Sequence, residues 1–204
     1  MKHGMFGAVM KNLHRPIYVS RLNALSRRIT PFLRPGDEVL DVGCGFGELG
    51  KTLADAAAVS VTGLERVARG DELIPVVRYD GGTIPYPDRS FDVVILADVL
   101  HHEVQPERLI AECERVSRRL LVIKDHKADT WFQHQRVCVM DWAANIPYDV
   151  PCLYRYLSQD EWNDLHVRMR HRIIETLNEM DIYPPFVNLI FGGKLHYMAV
   201  LSVG

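Results

Sequence analysis

The stretch VLDVGCGFGELG, residues 39 to 50, sets a carboxylate beside a run of glycines, and glycines in such a run let backbone approach a ligand closely. Two patterns overlap in it. Starting at Gly45, the residues read G-x-G-x-x-G (Gly45, Gly47, Gly50), the pattern that seats a dinucleotide pyrophosphate at a helix N-terminus. Starting at Asp41, they read D-x-G-x-G-x-G (Asp41, Gly43, Gly45, Gly47), with Cys44 inside the loop and the acid at the end of a strand. The two patterns call for ligands of opposite charge. Asp41 would repel a pyrophosphate brought to that helix terminus, and would attract the ammonium and sulfonium of S-adenosylmethionine. The charge of Asp41 therefore favours the cationic cofactor.

A second set of reactive side chains follows further along. His101 and His102 come just after FDVVILA, residues 91 to 97, the clearest buried strand in the chain, and Asp125 and His126 come just after LLVIK, residues 120 to 124. Carboxyl ends of strands are where open α/β sheets gather their ligands. Each of the four can take a proton from an acceptor, and the residues alone do not choose among them. His134 and Cys138 are four apart, as ligands on one helix face would be, but two donors do not complete a metal site, and no metal is expected. Cys44, Cys113, Cys138 and Cys152 contain no C-x-x-C pair and read as free thiols.

The elements that must position these groups alternate. A helix is expected from about Pro16 to Thr30, burying Ile17, Leu22, Leu25 and Ile29, and after it a strand over Glu38 to Val42. A helix over Glu48 to Ala58 comes next, then strands over Val59 to Leu64, Val76 to Tyr79 and 91 to 97. A helix from Pro106 and a strand over 120 to 124 follow. Apolar strands alternating with helices indicate a doubly wound α/β sheet, mostly parallel and covered on both faces. SQDE at 158 to 161 reads as a capping box opening a helix to about Met180. FVNLIF and LHYMAVLSV, separated by few residues, read as an antiparallel pair of strands. The interval 126 to 157 breaks the alternation and holds Trp131, Phe132, Trp142, Tyr148, Tyr154 and Tyr156, so it reads as an inserted apolar lid. Prolines 147 and 151 are expected to break any long helix there.

At 204 residues the chain suits one domain, with an N-terminal helical extension over 1 to 35. A net charge of -2 gives no electrostatic footprint for nucleic acid. No apolar run reaches membrane-spanning length and the N-terminus lacks a sustained apolar leader, so the expectation is a cytoplasmic protein, monomer or homodimer, without membrane insertion.

Taken in order, VLDVGCGFGELG, Glu65 and YDGGTIPYPDRSFDVVILADVLHH at 79 to 102 resemble the class I S-adenosylmethionine-dependent methyltransferases. The likeness is to the small-molecule branch related to ubiquinone/menaquinone biosynthesis, and it covers roughly residues 37 to 125. It implies a Rossmann-like seven-stranded sheet with a reversed C-terminal strand, with S-adenosylmethionine as cofactor and a small organic acceptor. By the same resemblance Asp41, Gly43, Cys44, Gly45 and Gly47 form the loop at the methionine end and Glu65 holds the ribose. Asp80 and Gly81 meet the adenine, and Ala97 lies near the methionine end. The segment Asp98 to His102 then faces substrate. The link from Glu65 to Ile74 is too short for the usual helix, so the adenine must be covered in some other way. An RNA or protein methyltransferase, a cofactor-binding module without activity, and a nicotinamide-dependent oxidoreductase are the alternatives.

Overall fold

The computed structural model describes residues 2–67, 69–145 and 152–203, with side chains from Arg15 onward. Seven strands form one sheet: β1 (Glu38–Val42), β2 (Ser60–Glu65), β3 (Val76–Arg78), β4 (Phe91–Ala97), β5 (Ser117–His126), β6 (Arg172–Leu177) and β7 (His196–Ser202). Their order across the sheet is β3-β2-β1-β4-β5-β7-β6. The pairs from β3 through β5 are parallel, and β7 runs antiparallel to both β5 and β6. This is the expected doubly wound sheet with its reversed C-terminal strand.

Successive residues of a strand point to opposite faces, and here both faces are buried. In β4, Val94 and Leu96 pack with Leu109, Ile110 and Trp162 on one side, while Val93 and Ile95 pack with Leu25, Ile29 and Leu53 on the other. Four helices supply these partners: α1 (Lys2–Ile29), α2 (Glu48–Ala57), α3 (Pro106–Val116) and α5 (Gln159–Met169). The Ser158/Glu161 capping box opens α5 as expected.

Three expectations need correction. The first helix runs from Lys2 through Pro16 and does not begin at it. A proline inside a helix removes one hydrogen bond and usually kinks or breaks it. The buried Leu22, Leu25 and Ile29 face holds the C-terminal half of the helix in place regardless. The helix after Ser158 stops at Arg170, whose φ of 56° is left-handed, and β6 follows where helix to Met180 was expected. Because β6 is an edge strand exposed along most of its length, its sequence lacks the alternation of a half-buried strand. Finally, PFVNLIF is a short helix, α6 (Pro185–Phe191), with proline at its first turn, so the antiparallel partners of β7 are β5 and β6.

The interval 126 to 157 contains a helix, α4 (Trp131–Asn145), which carries three of the aromatics expected to cover a ligand. Trp131, Phe132 and Trp142 lie on its exposed side and Tyr154 is also exposed, while Tyr156 is buried. Tyr148 and the helix-breaking prolines at 147 and 151 lie outside the described residues. No helix among the described residues is long and apolar enough to cross a membrane.

Candidate cofactor and acceptor site

The glycine loop connects β1 to α2 at the carboxyl edge of the sheet. Gly43, Gly45 and Gly47 all have left-handed φ, at 71°, 59° and 77°. At Gly43 a β-carbon would lie 2.5 Å from Val99 Cγ2, and at Gly45 it would meet nothing within 4 Å. The loop thus packs tightly at one glycine and opens at the next, so backbone is presented to a ligand there. Cys44 lies beneath it, its sulfur against Gly63 of β2. Burial, together with the nearby Asp41 and Glu65 carboxylates, raises the Cys44 thiol to about 12, so it stays protonated and serves as packing.

Glu65 ends β2 with one carboxylate oxygen accepting the Gly45 N–H at 2.9 Å and the other accepting the Arg66 N–H at 2.8 Å. The acid expected at the ribose is therefore fixed directly under the loop. Each oxygen keeps a lone pair for a hydroxyl. Asp41 is buried at 2% exposure, and its Oδ2 has no hydrogen-bond partner. Burial raises its carboxyl to about 7, opposed by Arg21 and by the Gly50 N–H, with Glu65 adding to the rise. A buried carboxylate oxygen without a partner suits a ligand that brings positive charge and does not suit a pyrophosphate. The residues thus fit S-adenosylmethionine.

Asp80 is exposed and accepts the Gly82 N–H at 2.8 Å, closing a local turn. Over Gly81 lies the Arg66 guanidinium, which pairs with Glu103 at 2.6 Å. Among the described residues no helix lies between β2 and β3.

Beyond Ala97 the chain turns sharply. Asp98 takes a left-handed φ of 58°, a strained geometry that its surroundings must enforce. Arg21 of α1 pairs with its Oδ2 at 2.5 Å, and the fully buried Lys124 of β5 pairs with Oδ1. Burial alone would raise the Asp98 carboxyl, but Lys124, His126 and Arg21 together hold it well below the usual range. Lys124 is itself pushed downward by burial, against the pull of Asp98.

His101, His102, Asp125 and His126, expected at neighbouring strand ends, do converge. Asp125 accepts from the backbone of Leu100 at 2.9 Å and of His126 at 2.6 Å, and meets His101 Nδ1 at 2.5 Å. Burial lowers the His101 pKa, but Asp125 outweighs it and raises the group to about 10. Burial drives His126 the other way, well below the usual histidine range. The rings of His101 and His102 lie 4.0 Å apart, and those of His101 and His126 5.0 Å apart.

Three contributors were not singled out from sequence, Arg21, Lys124 and Asp141, and Tyr156 was read only as one of the lid aromatics. Asp141 of α4 is buried, meets the Tyr156 hydroxyl at 2.6 Å and stands 3.5 Å from His101 Nε2. A lone acid between Met140 and Trp142 was the available signal. A cleft bordered by Leu100, His101, Glu103, Arg155, Leu157 and Trp162 adjoins this cluster.

The sheet order, the loop geometry and the acids at the ends of β1 and β2 define a Rossmann-like S-adenosylmethionine-binding domain. A family model described as a methyltransferase domain matches residues 40–120. The chain is 37% identical over 99 residues to the 27-O-demethylrifamycin SV methyltransferase of Amycolatopsis mediterranei, covering 42% of this chain and 36% of that protein. It is 30% identical over 170 residues to a ubiquinone/menaquinone biosynthesis C-methyltransferase of Burkholderia mallei, covering 72% of this chain and 66% of that one. The chain thus spans between about a third and two thirds of the length of these curated relatives. The crystal structure of a SAM-dependent methyltransferase from Aquifex aeolicus shares the fold, with TM-score 0.63, 19% identity and coverage of 97% and 98% of the two chains. Residues 40–120 thus match the methyltransferase-domain family, and the chain has the fold of the class I S-adenosylmethionine-dependent methyltransferases.

Proposed function

We propose that this protein transfers the methyl group of S-adenosylmethionine to a small organic acceptor bound beside the ends of β4 and β5. The observation that carries the reading is the glycine loop braced by Glu65, with the partnerless buried oxygen of Asp41 behind it. S-adenosylmethionine, when bound, supplies a methyl group on a good leaving group, open to in-line displacement. The protein's part is then to position reactants and exclude water, and it needs no nucleophile of its own.

Asp41, Gly43, Gly45 and Gly47 hold the charged methionine end, and Glu65 accepts from the ribose hydroxyls. Asp80 and Gly81, with Arg66 across them, flank the adenine, and Ala97 adjoins the reacting end. His101, His102, Asp125 and His126 form the acceptor end, where Asp125 acts as a positioning residue because the Leu100, His101 and His126 backbones and the His101 ring all bond to it. From the segment 126–157, His126, Arg155 and Leu157 line the cleft, while the exposed Trp131, Phe132, Trp142 and Tyr154 stand away from it. A small acceptor is in keeping with the apolar Leu100, Leu157 and Trp162 beside these residues, and the narrow cleft they border would have to widen to admit it. Such an acceptor also agrees with the names of the two curated relatives, which refer to a rifamycin and to quinone biosynthesis.

Thermal denaturation with added cofactors is the test. S-adenosylmethionine and S-adenosylhomocysteine at a hundredfold over Kd should each stabilise the fold by about 2.7 kcal/mol, and NAD should leave it unchanged. Stabilisation by NAD alone would overturn the reading.

A further inference from the structure

We infer that His101, His102 and Asp141 form a binding site for one divalent first-row transition metal ion. The three donor atoms, one from each residue, lie within 4.8 Å of one another. Asp141 Oδ1 stands 3.5 Å from His101 Nε2 and 3.9 Å from His102 Nε2. Tetrahedral donors at roughly 2.0–2.1 Å from a zinc-sized ion stand about 3.3–3.4 Å apart, so a small inward movement of the rings suffices.

Three independent features point to a cation. The first is the state of His101: its ring is buried, Nδ1 is fixed by Asp125 at 2.5 Å, and Nε2 has no hydrogen-bond partner. A histidine whose one nitrogen is held by a carboxylate and whose other faces a second ligand carboxylate is oriented for a metal, which would displace the proton on Nε2. At 3.5 Å, Asp141 is too far to make a strong hydrogen bond with it. The second is the state of Asp141. Tyr156 donates to its Oδ2 at 2.6 Å and the Asn145 amide to its Oδ1 at 2.5 Å, which orients the carboxylate beside the two histidines.

The third is charge. Among the described residues, Asp98 is matched by Arg21 and Lys124, whereas the ion pairs of Asp125 and Asp141 are with histidines alone. Two buried carboxylates faced only by the imidazoles of His101 and His102 leave negative charge for a dication to neutralise. Two imidazoles and one carboxylate select zinc, cobalt or iron over magnesium or calcium, which want an all-oxygen shell. Three protein donors leave a fourth position open, as in reactive rather than structural sites. The His102 side chain, 20% exposed, marks the way in.

The inference does not depend on methyl transfer, since the metal can be titrated without cofactor or acceptor. Chelator-treated protein should bind one Co2+ or Zn2+ per chain by calorimetry, Co2+ giving visible d–d bands, and should not bind Mg2+ at the same concentrations. His102→Ala, at the partly exposed ligand, should weaken Zn2+ at least tenfold and remove the Co2+ bands. Asp125→Asn should weaken it by about 10- to 100-fold through His101. Asp141→Asn should behave as His102→Ala does; if it fails to fold, His102→Ala decides alone. Failure of the wild type to bind Co2+ and Zn2+ stoichiometrically, or unchanged affinity in folded His102→Ala, overturns the site. Neither result touches cofactor binding, which the thermal shift reads separately.

Discussion

Glu65 does two jobs, bracing the loop through Gly45 and, in the proposed function, accepting from the ribose. Glu65→Ala should therefore weaken S-adenosylmethionine by about 1.5–3 kcal/mol, the loss of a charged acceptor. That corresponds to roughly tenfold to 150-fold in Kd by titration calorimetry, and unchanged affinity in the folded variant would remove Glu65 from the ribose. Asp41 gives a pH dependence. Its folded pKa, about 7, lies above the usual 3.8 because of burial, despite Arg21. The folded protein without cofactor thus holds a proton that the unfolded chain releases between those values. Its contribution to stability is complete below pH 4 and is lost as pH rises through 7. A cationic cofactor prefers the ionised carboxylate, so affinity should be level above pH 7 and fall as pH drops below it, by up to about tenfold per unit. Calorimetry across pH 5.5 to 8.5 reads this, and Asp41→Asn should flatten the profile. A profile that stays level in the wild type would separate Asp41 from the cofactor's charge.

At the level of elements, α1 is held at the carboxyl edge of the sheet by packing of Leu22, Leu25 and Ile29 and by one buried ion pair, Arg21 with Asp98. Removing one partner of a buried pair costs about 3–5 kcal/mol, and the remaining Lys124 reduces this at Asp98 to about 2–3 kcal/mol for Arg21→Met. Urea unfolding should show that loss with little change in m-value. A loss under about 0.5 kcal/mol would mean that packing alone docks the helix. The strands β1, β2, β4 and β5 were legible because buried parallel strands read as short apolar runs, and α3 and the start of α5 because proline or a capping box marks a helix start. Edge strand β6 and helix α6 were read the wrong way round. Ile173 and Ile174 of β6 are exposed, as are Phe186 and Leu189 of α6, so neither element shows the one-sided burial that periodicity reports.

Across the whole molecule, sequence determined what is local or depends on residue type. The glycine loop needs residues that tolerate left-handed φ, Asp41 and Glu65 sit at strand ends fixed by that loop, and alternating apolar runs require a covered sheet. Those constraints act over a few residues and leave their mark in the order of the chain. Tertiary structure alone decided which distant groups meet. Arg21 reaches Asp98 across 77 positions, and the acid that faces His101 from α4 lies 40 positions later in sequence. Only the order β1-β4-β5 brings the ends of β4 and β5 side by side, so that Asp125 can fix His101 and the histidines can share a buried site. Charge compensation in such a site depends on distances of a few ångströms between side chains, and spacing along the chain does not encode them.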